Sequence, residues 1–159
     1  MILGIHHPKG RNGEKGQSLI EVAIALPVIL LILLGTFDFG MALFSYSILK
    51  DAAQEGALYG SINPGNKAEI ENRARHILPR EEGILYSSPI DLRDSAIVMD
   101  IRTIGGACQG VSGNVANRVQ VKVTYQYDIL TPFVSEVIGT ETIQLTSTAT
   151  NVILQPPCK

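Results

Sequence analysis

The stretch KGQSLIEVAIALPVILLILLGTFDFG, residues 15–40, decides how this chain must fold. Residues 22–37 within it carry no charge. A bilayer hydrocarbon core of roughly 30 Å needs about 20 helical residues, and this run is long enough to cross it. Measured from Gln17 at about 1.5 Å per residue, Asp38 lies roughly 30 Å along the helix, at the far interface. The predicted membrane-spanning helix includes Leu19, Pro27, Leu34 and Asp38.

Positive charges predict the direction of this span. Lys9, Arg11 and Lys15 precede it closely, and the next positive charge along the chain is Lys50. Cytoplasmic flanks carry the excess of lysine and arginine. We therefore expect a single-pass protein of the cell membrane, with its N-terminus in the cytoplasm and its C-terminal part exported to the periplasm or the cell surface.

The composition of the rest of the chain narrows the function classes. The chain has 159 residues, with 13 Lys and Arg against 15 Asp and Glu, and it has no Trp. Neither a basic patch nor a set of stacking aromatic residues of the kind that binds nucleic acid is present, so we expect no nucleic-acid partner. The three histidines, His6, His7 and His76, form no catalytic or metal-binding pattern. We expect no enzymatic activity, no metal and no cofactor.

Beyond the span the pattern predicts an α+β domain. The helix is expected to continue as an amphipathic segment whose apolar positions would pack on its own domain or on a neighbouring subunit. Asn66, with Glu69 three residues later, predicts a cap for a short helix that ends before Pro79. The apolar positions expected on the helical extension are Phe37, Met41, Phe44, Ile48, Ala52 and Tyr59.

Three strands and a second short helix are expected in the C-terminal half. Alternation is clearest from residue 118 to residue 130, where an apolar residue stands at every second position, as in a half-buried strand. Thr131 as N-cap and Pro132 at the first helical position predict a helix to residue 138. Such strands form an antiparallel sheet with one wet face and a helix on the other. The expected strands are residues 97–104, 118–130 and 142–154, and residues 105–117 are expected to form a loop.

One carboxylate inside the apolar run needs an explanation, because a charge at membrane depth is costly. Glu21 lies five residues after Gly16, whereas the same spacing from Gly10 reaches Lys15 and from Gly13 reaches Ser18. A secretory signal peptide would have a shorter apolar core and a small-residue cleavage site after it. A plain single-pass anchor fits the apolar run but leaves Glu21 without a purpose. A leader that is cut before the run accounts for the glycine and for the carboxylate.

These residues resemble a known family. Residues 16–21 are similar to a type IV prepilin cleavage motif, and residues 16–61 resemble the N-terminal part of TadE-like proteins, the minor pseudopilins of the Flp, or tight-adherence, pilus system. The family pattern consists of a glycine, a glutamate in an apolar run, a proline, a leucine-rich stretch, a Gly-x-x-Asp/Glu-Phe-Gly element and a helix that contains Ala-Ala-Arg/Gln-Glu-Gly-Ala. Here those parts are Gly16, Glu21, Pro27, residues 30–34, residues 35–40 and residues 52–57.

The resemblance implies how the chain is processed and assembled. A prepilin peptidase would cut between Gly16 and Gln17, so that residues 1–16 are a cytoplasmic leader, residues 17–61 the membrane and amphipathic helix, and residues 62–159 the exported domain. Glu21 would then pair with the N-terminal amine of a neighbouring subunit during assembly. The implied partners are the peptidase, other pilins or pseudopilins, the tight-adherence secretion machinery and the lipid bilayer.

Several alternatives stay open at this point. The chain could remain uncut, as a single-pass anchored envelope domain with a binding or structural role, or it could be a major filament subunit, although Flp-type major pilins are usually much shorter. The only two cysteines, Cys108 and Cys158, lack metal-ligand spacing. After export they would form one disulfide or remain two unpaired thiols.

Overall fold

A computed structural model describes residues 14–76, 90–105, 111–112 and 115–154, and side chains within residues 16–76, 90–105 and 117–154. It has a long N-terminal helix followed by a small domain with a three-stranded antiparallel sheet and two short helices, as expected from the sequence. The helices are α1 (Glu14–Ile62), α2 (Lys67–Arg75) and α3 (Pro132–Ile138); the strands are β1 (Val98–Ile104), β2 (Val111–Ser112), β3 (Val115–Ala116), β4 (Arg118–Asp128) and β5 (Thr142–Val152).

Helix α1 is a single element of 49 residues that continues through Pro27. Its side chains from residue 16 to residue 33 are all exposed, and contact with the domain begins at residues 34 and 35. At about 1.5 Å per residue the exposed part is roughly 27 Å long, close to the thickness of a bilayer hydrocarbon core. By length and composition α1 is able to cross a membrane. Among the described residues, it is the one helix that is long and apolar enough to do so.

The C-terminal half of α1 packs on one face of the sheet. The strand order is β1-β4-β5, both pairings are antiparallel, and β4 lies in the centre. Val119, Val121 and Val123 of β4 are fully buried under the helix, while the alternate positions of β4 face away. The core is completed by Leu49, Ala52, Ala53 and Ala57 of α1, Ile70 and Ala74 of α2, and Ile90, Leu92, Ile97 and Ile153.

The residues that α1 buries differ in part from those expected. Ile48 and Ala52 are buried as predicted, but Phe37 and Phe44 are exposed, 58% and 53% respectively. The helix presents small side chains to the sheet instead, which allows its backbone to approach closely, and the phenylalanines lie on the outer side. The positions buried or half-buried against the domain include Gly35, Ala42, Ser45, Ala53 and Ala57.

Two glycines of α1 mark the closest approach between helices and sheet. A Cβ built on Gly60 would lie 2.8 Å from Val119 Cγ1, and one on Gly56 would lie 3.2 Å from Ala74 Cβ and 3.4 Å from Val121 Cγ1. Both positions are contact points that a larger residue would obstruct.

Most predicted elements are present with small differences at their ends. Asn66 caps α2 by accepting a hydrogen bond from the Glu69 amide at 3.2 Å, as expected, and α2 ends at Arg75. Residues 111–112 and 115–116 pair as a short antiparallel ribbon where a loop was predicted. Strands of two residues are too short to produce an alternation that the sequence could reveal. Cys108 and Cys158 lie outside the described residues.

Candidate functional site

The proposed processing site lies at the start of α1. Gly16, Gln17 and Glu21 are all helical and exposed, and a Cβ added at Gly16 would meet nothing within 4 Å. Gln17 and Glu21 are one turn apart, so their side chains lie on the same face of the helix. Among the described residues, Glu21 has no ion-pair partner. The carboxylate is exposed on this face of the helix.

The position of Glu21 also suits a chain that begins at Gln17. The first turn of a helix has unpaired amide groups and a partial positive charge, and a new N-terminal amine would add to that charge. Glu21 would then be the fifth residue, one turn into the helix, where a carboxylate is stabilising. These facts concern geometry alone, and the cut between Gly16 and Gln17 stays a prediction.

The middle of the predicted span contains few polar groups. Leu19 is strongly exposed, Pro27 is exposed within the helix, and Leu34 is half-buried where the domain begins. Thr36 donates its hydroxyl hydrogen to the Ile32 carbonyl at 2.7 Å. Because that hydroxyl is satisfied inside the helix, it adds little to the cost of an apolar environment.

Asp38, predicted at the far end of the span, joins α1 to the domain. It is only 5% exposed, and its carboxylate accepts hydrogen bonds from the Leu130 amide at 3.1 Å and the Thr131 amide at 3.3 Å. The Thr131 hydroxyl also donates to this carboxylate, and the Tyr127 hydroxyl donates to the Asp38 backbone carbonyl at 3.4 Å. We call this set of contacts the Asp38 clamp.

The clamp changes how α3 begins. Thr131 and Pro132 take the predicted N-cap and first helical positions, but the Thr131 side chain does not cap the helix. Asp38 receives its hydroxyl instead, along with two backbone N–H groups. The same bonds end β4 before residue 130, because the Leu130 and Thr131 amides point to α1 rather than to a neighbouring strand.

The clamp also affects nearby titration. Burial, then the proximity of the Asp38 carboxylate, raises the pKa of Tyr127 above its ordinary value. Burial likewise raises the pKa of Tyr125, with smaller contributions from Asp128 and Asp94. A neutral phenol is therefore favoured at both positions in the folded protein.

Elsewhere the described surface offers little that suggests chemistry. A shallow polar groove of about 250 Å³ lies between α1 and β5, lined by Tyr46, Lys50, Gln54 and residues 147–151. Within the described residues, no group of three or more His, Cys, Asp or Glu side chains is placed to hold a metal ion. Within the described residues, the features of note are therefore the start of α1 and its junction with the domain.

The one comparison that found a match places it within α1. No curated protein and no solved structure matched the chain. The model of the TadE-like protein family matches residues 16–58, a range that begins at Gly16 and contains Glu21, Asp38 and Gly56. Over that range the chain is similar to TadE-like proteins, as the sequence motifs predicted.

Proposed function

We propose that this chain is a minor pseudopilin of the TadE-like type that acts in assembly of an Flp, or tight-adherence, pilus. The observation that carries the proposal is the family match over residues 16–58, because it starts at the glycine of the predicted cleavage motif. On this proposal the leader is cytoplasmic, α1 anchors the protein in the bacterial cell membrane, and the domain after it is exported. Other pilins or pseudopilins and the tight-adherence secretion machinery are its partners.

The start of α1 supports a role as a peptidase substrate. The bond between Gly16 and Gln17 lies in the first turn of the helix, which has few internal hydrogen bonds to lose. Glycine is a poor helix former and leaves the backbone at Gly16 accessible. The first turn is therefore easily opened for a protease, and the cut frees an amine one turn from Glu21.

In the membrane, the amine and Glu21 provide a means of assembly. Opposite charges attract far more strongly in a low-dielectric environment than in water, and a lone carboxylate there is costly. Pairing between the Gln17 amine of one subunit and Glu21 of the next would remove that cost and fix the register of neighbouring helices. The exposure of Glu21 is consistent with such a partner.

The cleavage step is tested by replacing the glycine. We expect Gly16→Val to block maturation, so that the full-length precursor accumulates in the native membrane, because the branched side chain obstructs access to the bond. Gly13→Val is the matched control and should mature normally. Intact mass and N-terminal sequencing of the extracted proteins give the result. Normal trimming of Gly16→Val, or an uncut wild-type chain, would favour the anchored envelope domain instead.

The assembly step is tested separately at Glu21. We expect Glu21→Ala and Glu21→Gln to be cut normally but to reduce incorporation into pilus complexes several-fold, because the amine loses its partner. Ser18→Ala, close by on the same exposed segment, should behave as wild type. The measurement is co-purification of the cleaved variants with the other pilus components. Unchanged assembly of both Glu21 variants would remove the amine–carboxylate pairing from the proposal.

A further inference from the structure

Helix α3 exposes an unusually apolar surface for so short an element. Phe133 is 68% exposed and Val137 69% exposed, and Ile138 and the preceding Leu130 are also more than half exposed. We call these four residues the α3 ridge. At about 100° per residue, Phe133 and Val137 lie about 40° apart on one side of the helix, Ser135 lies opposite them, and Glu136 lies about 60° from Phe133. The ridge is therefore a cluster of exposed apolar side chains with one exposed acidic residue, Glu136, at its edge.

The position of α3 along α1 suggests what covers the ridge. Val134 is the buried residue of α3, and its Cγ2 lies 3.9 Å from a Cβ built on Gly35. The Asp38 clamp fixes the N-terminal end of α3 to α1 one turn further on. From Gln17 to Gly35 the rise is roughly 27 Å, so α3 lies at the level where the helix leaves the hydrocarbon core.

The apolar surface of the span continues directly into the ridge. Residues 16–33 of α1 are exposed and apolar almost throughout, and Phe37 and Phe39 remain exposed beside the level of α3. Charges near the ridge are acidic: Asp128, Glu136 and Glu141 are exposed, and no Lys or Arg occurs from residue 123 to residue 158. A partner recognised through anionic groups is therefore disfavoured, and apolar contact is favoured.

We propose that the α3 ridge lies in the membrane interface, in contact with the leaflet on the side of the domain. Helix α3 then acts as a second, shallow membrane contact beside the span, and it fixes the height and tilt of the domain above the bilayer. Exposed apolar side chains at this level contribute to membrane binding in proportion to the apolar area that they bury. The inference depends on insertion of α1 into a bilayer and not on a role in a pilus.

A single tryptophan tests the contact, since the chain has none of its own. The full-length Phe133→Trp variant is placed in phosphatidylcholine vesicles with and without brominated acyl chains. Ile24→Trp, in the exposed apolar part of α1, is the membrane control, and Ile104→Trp, at the far end of β1, is the water control. All three positions are exposed, so each variant should fold, and circular dichroism of the three proteins checks this.

We expect the Phe133→Trp emission to shift to the blue and to lose intensity with brominated lipid, as at Ile24, while Ile104→Trp stays unquenched. Water-like emission at position 133 beside quenching at position 24 would overturn the inference and leave the anchor intact. A blue shift without quenching by brominated lipid, lost when more lipid is added to dilute the protein, would mean that a second copy covers the ridge. That result would also overturn the inference. Absence of quenching at position 24 would reject the span itself.

Discussion

At the scale of single residues, Asp38 connects distant parts of the chain. Its carboxylate accepts hydrogen bonds from Leu130 and Thr131, 92 and 93 residues later in the sequence. Two of the donors are backbone N–H groups that would otherwise be without a partner at the end of β4. A buried carboxylate with several donors is well stabilised, whereas donors that lose it carry a desolvation cost.

Removing the carboxylate should therefore weaken the junction. We expect Asp38→Ala to lower the free energy of unfolding by about 2–4 kcal/mol, since hydrogen bonds to charged groups contribute about 1.5–3 kcal/mol each and do not add fully. Asp51→Ala, an exposed aspartate on the same helix, should change it by less than about 0.5 kcal/mol. Thermal unfolding in detergent micelles, followed by circular dichroism, measures both. Equal effects of the two substitutions would contradict the importance of the clamp.

The sequence located Asp38 but did not reveal its contacts. Its distance from Gln17 predicted the end of the span, and Thr131 and Pro132 were correctly expected to begin α3. Nothing local connects Asp38 to Thr131, because their contact depends on how β4 is aligned along α1. Helix propensity and capping rules act over three or four residues, so a contact across 93 residues is beyond their reach.

At the scale of elements, α1 combines two kinds of helix. Its first part is apolar on nearly all sides, and its second part buries a stripe of mainly small residues, together with Ile48 and Leu49, against the sheet and α2. The long apolar phenylalanines of the second part lie outside that stripe. The packing is thus determined by how near the backbones can come, and Gly56 and Gly60 permit the closest approach.

Adding one methyl group at Gly60 should be unfavourable. A Cβ there would lie 2.8 Å from Val119 Cγ1 and 3.2 Å from Ile70 Cδ1. Overpacking of this kind costs about 1–3 kcal/mol, which exceeds the gain of about 1 kcal/mol from replacing glycine with alanine in a helix. We expect Gly60→Ala to lower the unfolding temperature of the protein in micelles.

Gly40→Ala is the matched control for that experiment. A Cβ at Gly40 meets nothing within 4 Å, so only the helix propensity changes. We expect it to leave stability unchanged or to raise it by up to about 1 kcal/mol. If Gly60→Ala were equally well tolerated, the close approach of α1 to β4 and α2 would not limit the packing.

Element prediction succeeded where the periodicity was strong. The alternation that begins at Val119 gave β4 nearly complete, because a central strand with one buried face must repeat every second residue. The buried face of α1 was harder to predict, since its small residues have little hydrophobic signal of their own and the neighbouring phenylalanines suggested a different face. Size complementarity with the sheet decided the outcome, and a sequence pattern does not contain it.

At the scale of the whole molecule, the N-terminal part of the chain matches a known family and the C-terminal part does not. The family match covers residues 16–58 and stops before α2 and the sheet. The domain nevertheless depends on that matched segment, because Leu49, Ala52, Ala53 and Ala57 lie in its core. Folding of the C-terminal domain and placement of the long apolar helix are therefore properties of one cooperative unit.

The stability of that unit should depend on pH in the alkaline range. The raised pKa of Tyr127 means that the folded protein keeps the phenolic proton more tightly than the unfolded chain does. The resulting stabilisation is complete below the unfolded pKa of about 10 and is lost as the pH rises through the folded value. We expect the unfolding temperature of Tyr127→Phe to fall less than that of wild type above about pH 10.

Tyr46→Phe, at an exposed tyrosine of α1, is the control for the loss of a tyrosine hydroxyl. Part of the alkaline loss should remain in Tyr127→Phe, because the pKa of Tyr125 is raised as well. Parallel curves for wild type and Tyr127→Phe would show that burial at the clamp does not contribute to the dependence. Melting curves recorded at a series of pH values distinguish these outcomes.

The continuity of α1 has a mechanical consequence. The helix has 49 residues and a length of roughly 73 Å, and no loop separates the part beyond the domain from the part inside it. A pull on the domain is transmitted along hydrogen-bonded backbone to the apolar segment, and a twist of that segment turns the sheet with it. A force that extracts the apolar segment from a bilayer and a force that disrupts the domain core therefore both act on α1. A chain truncated from its N-terminus past Ser45 would lose part of its core along with its anchor.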